Sequence, residues 1–213
     1  MLITFEGTDG SGKSTQSKAI YAALQAEGHH PLFTREPGGT SIGDQIRTIL
    51  LDNMSNTGMQ PRAELLLFCA SRAQLVGEII QPHLASGGIV LCDRYADSTL
   101  AYQGYGHGLP IEDIKQILRF ATGGLRPDLT IYLDLLPEKG LARRRAGTFQ
   151  GVDWNRLDDM ELAFHQRVYH GYQTMIGAEP ERFAIVNADQ EPEKITENIL
   201  AMLRPRLIAP GKT

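Results

Sequence analysis

Cysteine is scarce in this 213-residue chain: there are two, Cys69 and Cys92, each set in an apolar run. Two thiols exclude a disulfide framework or a thiolate metal cluster, and they suit a reducing compartment, so a cytoplasmic protein is expected. No apolar run approaches the roughly 18 residues of a membrane span. The first strand pattern starts at Leu2, so no signal peptide is expected either. Excess positive charge is also missing. With 21 Lys+Arg against 25 Asp+Glu the net charge is −4, which leaves no electrostatic footprint for nucleic acid or an anionic membrane. The six histidines, His29, His30, His83, His107, His165 and His170, show no ligand-like grouping. Without internal repeats or low-complexity linkers, residues 1–213 read as one domain.

What the chain does contain is Gly7-Thr8-Asp9-Gly10-Ser11-Gly12-Lys13-Ser14-Thr15, directly after the apolar Leu2-Ile3-Thr4-Phe5. The glycines allow a tight loop whose backbone N–H groups wrap a polyphosphate. Lys13 would reach the β/γ-phosphates and the Ser14 hydroxyl would ligate Mg²⁺. A helix beginning at the end of the loop adds its unpaired amides to the anion site. A glycine turn between strand and helix would explain Gly7 but not Lys13-Ser14. This P-loop pattern makes all nine residues candidates for ATP binding, with Lys13 catalytic.

Strands are expected at about 2–6, 30–34, 88–93, 129–134 and 182–187. Helices are expected near 13–27, 41–51, 61–86, 111–122, 137–146, 156–178 and 191–204. Ile89-Val90-Leu91-Cys92-Asp93 and Leu129-Thr130-Ile131-Tyr132-Leu133-Asp134 are apolar runs ending in a carboxylate, as in strands buried on both faces of a parallel sheet. Strand–helix alternation implies an α/β fold of the P-loop NTPase type: a doubly wound, five-stranded parallel sheet with helices on both faces and ligands at the carboxyl ends of the strands. The segment 147–153 is expected to be a mobile loop, within a short lid spanning about 143–156. The tail 209–213 is expected to fray.

No Asn-Lys-x-Asp base reader and no Leu-Ser-Gly-Gly-Gln-like signature occurs, which argues against guanine-specific switches and transport ATPases. Fifteen of the 21 basic residues are Arg, the side chain suited to forked recognition of phosphate. Phe33-Thr34-Arg35-Glu36-Pro37-Gly38-Gly39-Thr40 and Asp93-Arg94-Tyr95-x2-Ser98-Thr99-x-Ala101-Tyr102-Gln103-Gly104 resemble the two signatures of thymidylate kinases. The likeness runs from the P-loop through Arg126-Pro127-Asp128-Leu129 to the final helix. It implies Mg²⁺-dependent transfer of the ATP γ-phosphoryl group to dTMP, giving dTDP and ADP, in a homodimer. The alternatives are a deoxynucleoside kinase, with Glu36 as its base, and a non-catalytic nucleotide switch, which would not need an acceptor site.

Phe68 and Arg72 are spaced i, i+4, so they share a helix face that could sandwich a pyrimidine and donate to its O4; a core role is open for Phe68. Asp93 is placed to hold Mg²⁺ with Ser14, and Arg94 to clamp the acceptor phosphate. The resemblance puts Asp9 at the acceptor sugar. Glu36 and Pro37 would form a wall of the dTMP site, with Arg47 near its phosphate or on a solvated face. Ser98 lies within the second signature, and the resemblance sets Tyr102 and Gln103 near sugar and base. No cation occupies the variable P-loop positions, so the resemblance points to lid arginines. Of Arg143, Arg144, Arg145 and Arg156, the first and last are expected to be catalytic. Two departures from the family pattern stand out: Asn155-Arg156-Leu157-Asp158 at the lid hinge, and Asn187 in the Asn187-Ala188-Asp189 loop expected beside adenine.

Overall fold

The computed structural model describes residues 1–52, 58–148 and 156–207. Five strands, β1 (Leu2–Glu6), β2 (Leu32–Arg35), β3 (Val90–Asp93), β4 (Leu129–Asp134) and β5 (Phe183–Asn187), pair in the order β2-β3-β1-β4-β5, all parallel. The helices are α1 (Lys13–Ala26), α2 (Ser41–Leu51), α3 (Pro61–Leu75), α4 (Gln81–Ala85), α5 (Ala96–Thr99), α6 (Ile111–Thr122), α7 (Pro137–Thr148), α8 (Leu162–Ala178) and α9 (Pro192–Leu207). The doubly wound sheet expected from strand–helix alternation is present.

Strand periodicity divides the core. From β1, Ile3 and Phe5 point to one face and join Leu91, Ile131, Leu133 and the α1 and α9 residues Ile20, Leu24, Ile195 and Ile199. Leu2 points the opposite way, to a cluster with Val90, Cys92, Leu75 and Tyr95. On that second side Tyr132 packs with Phe164, Val168 and Tyr172. Alternation therefore turns the last residue of β1, Glu6, toward the second side, into the ground beneath the segment that follows β3. β5 is an edge strand and alternates between buried and exposed residues, as one-sided cover requires.

The chain leaves β1 for β2 by passing β3, and returns from β3 past β1 to β4. The crevice this opens lies at the carboxyl ends of β1 and β3. Register places Asp93 beside Phe5 and Arg35, level with the start of the glycine loop.

Three boundaries depart from the sequence reading. The 61–86 helix contains a π-helical stretch, Val76–Ile80, between α3 and α4. The last-but-one helix starts at Leu162, and Arg156–Asp159 form a turn ahead of it. Residues 96–106, which the sequence pattern does not mark, are helical: α5 runs into a π-helical segment, Leu100–Gly106. Tyr-Gln-Gly-Tyr-Gly is a poor helix former, so packing selects the conformation. A Cβ on Gly106 would lie 2.6 Å from the Phe164 ring, so only glycine lets this segment approach α8 so closely. The loop and tail expected at 147–153 and 209–213 lie largely or wholly outside the described residues.

Candidate active site

One cleft of about 920 Å³ runs across the sheet end and gathers most of the candidate residues. Asp9, Gly10, Gly12, Lys13, Ser14 and Thr15 line it at one end. Gly7, Thr8 and Ser11 complete the loop beneath. Lys13 Nζ donates to the carbonyls of Gly7 (3.0 Å) and Thr8 (2.8 Å) and to Ser11 Oγ (3.4 Å), which curls the loop around the ammonium. Burial, with Arg94 close by, lowers its pKa to about 8. At Gly10, φ is +77° and a Cβ would fall 2.0 Å from the Gly140 carbonyl oxygen, so the loop can rest on α7 only as glycine. Ser14 Oγ donates to Asp93 Oδ2 at 2.5 Å. Two hard oxygen donors therefore meet at the mouth of the loop, and no group of three or more His, Cys, Asp or Glu stands together among the described residues. That donor set fits Mg²⁺, which takes one or two protein oxygens and keeps water and phosphate for the rest.

Opposite the loop, Arg94 has φ +71°, the only positive value at a described residue other than glycine. This sparsely populated conformation is held because its amide donates to Phe5 O at 3.0 Å while its guanidinium turns into the cleft. There it pairs with Asp9 and donates to Ser98 Oγ (3.1 Å) and, more weakly, to Tyr102 Oη (3.4 Å). Tyr102 donates in turn to Asp9 Oδ2 at 2.7 Å. Burial alone would raise the Asp9 pKa, but the adjacent Arg94 and Lys13 charges overrule it, giving about 2.

Glu6 supports this group, and no sequence motif pointed to it. Its carboxylate accepts from the amides of Tyr95 (2.8 Å) and Ser98 (3.2 Å), from Ser98 Oγ (2.6 Å) and from Tyr172 Oη (2.7 Å). The available signal was a carboxylate closing an otherwise apolar strand just ahead of the P-loop.

The cleft's third side is built on α3. Arg72 is 1 % exposed. Its Nε and Nη2 donate to Glu36 Oε2 at 2.8 and 2.5 Å, Nη2 also to Tyr95 O at 3.0 Å, and Nη1 to Thr99 Oγ1 at 3.0 Å. Burial lifts the Glu36 pKa to about 7 against the pull of Arg72. Its Oε1 is buried with no hydrogen-bond partner among the described residues. Phe68, one turn before Arg72, lines the cleft and also packs against the α8 cluster. Pro37 and Arg47 line the opposite wall, with Arg47 Nη1 donating to Pro37 O at 2.9 Å. Gln103 reaches the cleft too, its Nε2 donating to Glu64 Oε1 at 2.6 Å.

The lid arginines separate. Arg143 and Arg144 line the cleft. Arg143 Nη1 donates to Ala188 O at 2.8 Å and its Nη2 lies 3.5 Å from Asp189, while Arg144 grips Asp158 through Nε (2.9 Å) and Nη2. Arg156, expected beside the phosphates, pairs instead with Glu64 and donates to Leu50 O at 3.4 Å; it is not among the cleft-lining residues. Half of the expected lid, 149–155, lies outside the described residues.

The family model for thymidylate kinase matches residues 5–199. A thymidylate kinase of Roseiflexus sp. is 51% identical over 215 residues, covering 97% of this chain and 95% of the relative. One from Herpetosiphon aurantiacus is 48% identical over 228 residues, covering 97% and 96%. The crystal structure of thymidylate kinase from Ehrlichia chaffeensis superposes with a TM-score of 0.76 at 32% identity, covering 95% of this chain and 98% of that one. With a P-loop facing Arg94 across one cleft and a family match over nearly its whole length, the chain belongs to the thymidylate kinases, the ATP-dependent kinases that phosphorylate dTMP to dTDP.

Proposed function

We propose that ATP lies on the P-loop, Gly7–Thr15, and dTMP between Arg94 and Arg72, so that the two phosphates meet over Lys13. The observation that carries this reading is the single cleft holding Lys13, Ser14 and Asp93 at one end and Arg94, Tyr102, Phe68 and Arg72 along the other. dTMP is a phosphate monoester, mostly dianionic at pH 7, so the transfer needs no strong general base. What it needs is alignment and charge neutralisation. Lys13 and the loop amides hold the donor phosphates, and Arg94 clamps the acceptor phosphate with Ser98 and Asp9 fixing its direction. Tyr102 packs at the sugar. Arg72, its guanidinium held by Glu36, Thr99 and Tyr95, lines the cleft and donates to thymine O4.

Ser14 and Asp93 would hold Mg²⁺, which when bound neutralises charge on the donor phosphates. A deoxynucleoside kinase, with Glu36 as its base, is less favoured because Arg94 and Arg47 line the acceptor side and suit a substrate that already carries a phosphate. The enzyme is read as cytoplasmic, where two buried free thiols stay reduced. It is also read as a homodimer, with the exposed Ile42 of α2, Leu66 of α3 and Phe120 of α6 on the covered face.

Steady-state kinetics of Lys13→Ala and Arg94→Ala test the catalytic reading. Each removes a preorganised cation in a water-poor site, so kcat should drop by about 10²–10³-fold or more while the circular dichroism spectrum is unchanged.

A further inference from the structure

We propose that Glu64 sets the base selectivity of the acceptor site by fixing which end of the Gln103 amide faces the cleft, with Arg156 anchoring the other end of the residue-64 side chain. The inference rests on the reading above that the base lies against Phe68 and Arg72.

Glu64, in the first turn of α3, is 1 % exposed, an expensive place for a carboxylate without partners. Its Oε1 accepts from Gln103 Nε2 at 2.6 Å, with His107 Nε2 at 3.1 Å from the same oxygen. Its Oε2 accepts from Arg156 Nη2. Burial favours the neutral acid, but His107, Arg156 and Gln103 together hold the carboxyl below its usual range, so it is an anion. A carboxylate only accepts, and a guanidinium only donates. The Gln103 NH₂ must therefore turn toward Glu64, and its carbonyl oxygen is the atom left for the cleft that Gln103 lines. No described residue donates to that oxygen.

The cleft then offers two complementary groups to a pyrimidine edge: a donor from Arg72 and an acceptor from Gln103. Thymine and uracil present O4, an acceptor, next to N3–H, a donor. Cytosine presents the reverse at both atoms. A lone glutamine amide reads either pattern, because its two ends are nearly the same shape. Glu64 removes that freedom, and as a positioning residue it acts without touching the base.

The test is the ratio of kcat/KM for dTMP to that for dCMP, in which any common effect on phosphoryl transfer cancels. In Glu64→Gln the Arg156 guanidinium requires the new side chain's carbonyl, leaving its NH₂ to face Gln103 and His107 Nε2, which accepts in the tautomer that carries its proton on Nδ1. Gln103 then turns its carbonyl inward and its NH₂ toward the base. The ratio should fall by roughly 5- to 150-fold, the range for one buried group left unpaired. Adding Arg156→Ala frees the residue-64 amide to rotate, and part of the ratio should return. Arg156→Ala alone keeps the carboxylate, so it should keep the ratio even if kcat falls. A folded Glu64→Gln enzyme with the wild-type ratio overturns the proposal, as does a ratio that collapses in Arg156→Ala alone. Failure of the double variant to recover any selectivity removes Arg156 from it. A wild-type enzyme that does not distinguish dTMP from dCMP overturns the base reading itself.

Discussion

At Asp9 a carboxylate is kept inside a loop built for anions, and its partners explain how. Arg94 and Lys13 supply positive charge and Tyr102 a hydrogen bond, and together they hold its pKa near 2. An unfolded aspartate protonates near 3.8, so below that pH the unfolded chain takes up a proton that the folded one refuses. Stability from this group is complete above about pH 4 and is withdrawn as pH falls toward 2. The difference of nearly two pKa units corresponds to about 2 kcal/mol. Urea unfolding of wild type and Asp9→Asn should therefore show a wild-type advantage at pH 6 that shrinks between pH 4 and 2. A pH-independent gap would mean the Asp9 charge contributes nothing. Asp9 was legible because an acid in a phosphate loop is chemically odd. Glu6 and Glu64 were not, since each takes its meaning from groups far away in the chain: Tyr172 is 166 residues from Glu6, and Arg156 is 92 from Glu64.

Elements with a strong local pattern matched their expectation. β1, the P-loop and α1 follow from one apolar run, three glycines and a lysine, and β4 from the run Leu129-Thr130-Ile131-Tyr132-Leu133 closed by Asp134. Residues 96–106 carry no such pattern, because their helix is selected by contact with α8 and not by propensity. The lid arginines were equally ambiguous in sequence, where three consecutive side chains fan around a helix. In space they divide. Arg143 reaches Ala188 and Asp189 after β5, on the side expected for adenine, whereas Arg144 lies close enough to Asp9 and Arg94 to feel both charges. Arg143→Ala should accordingly raise the KM for ATP with kcat little changed, and Arg144→Ala should lower kcat and kcat/KM together. The opposite assignment would come from a lid in which Arg143 loses kcat and Arg144 does not.

Across the whole molecule, strand order β2-β3-β1-β4-β5 puts the P-loop at the centre of the sheet and brings Asp93 and Arg94 to face it, so the topology itself builds the two-ended cleft. The outer surface carries a second message. Phe120 on α6 is 90 % exposed, and Leu66 on the neighbouring α3 is 57 % exposed. An aromatic left in water on a helix packed against one with its own exposed leucine is the kind of surface the proposed dimer would cover. In the proposed homodimer a second copy of the chain, meeting it about a two-fold axis, would present the same face in return. Sedimentation velocity should give a dimer for wild type and a shift toward monomer for Phe120→Asp, while a monomeric wild type would dismiss the dimer. On the proposed reading, Arg94 faces the P-loop to hold the phosphate that receives the γ-phosphoryl group. The decisive measurement is kcat and kcat/KM for dTMP in purified, folded Arg94→Ala. Both should fall by about 10²–10³-fold or more, as expected for a cation preorganised toward the transferring phosphates; a kcat near the wild-type value would contradict the account.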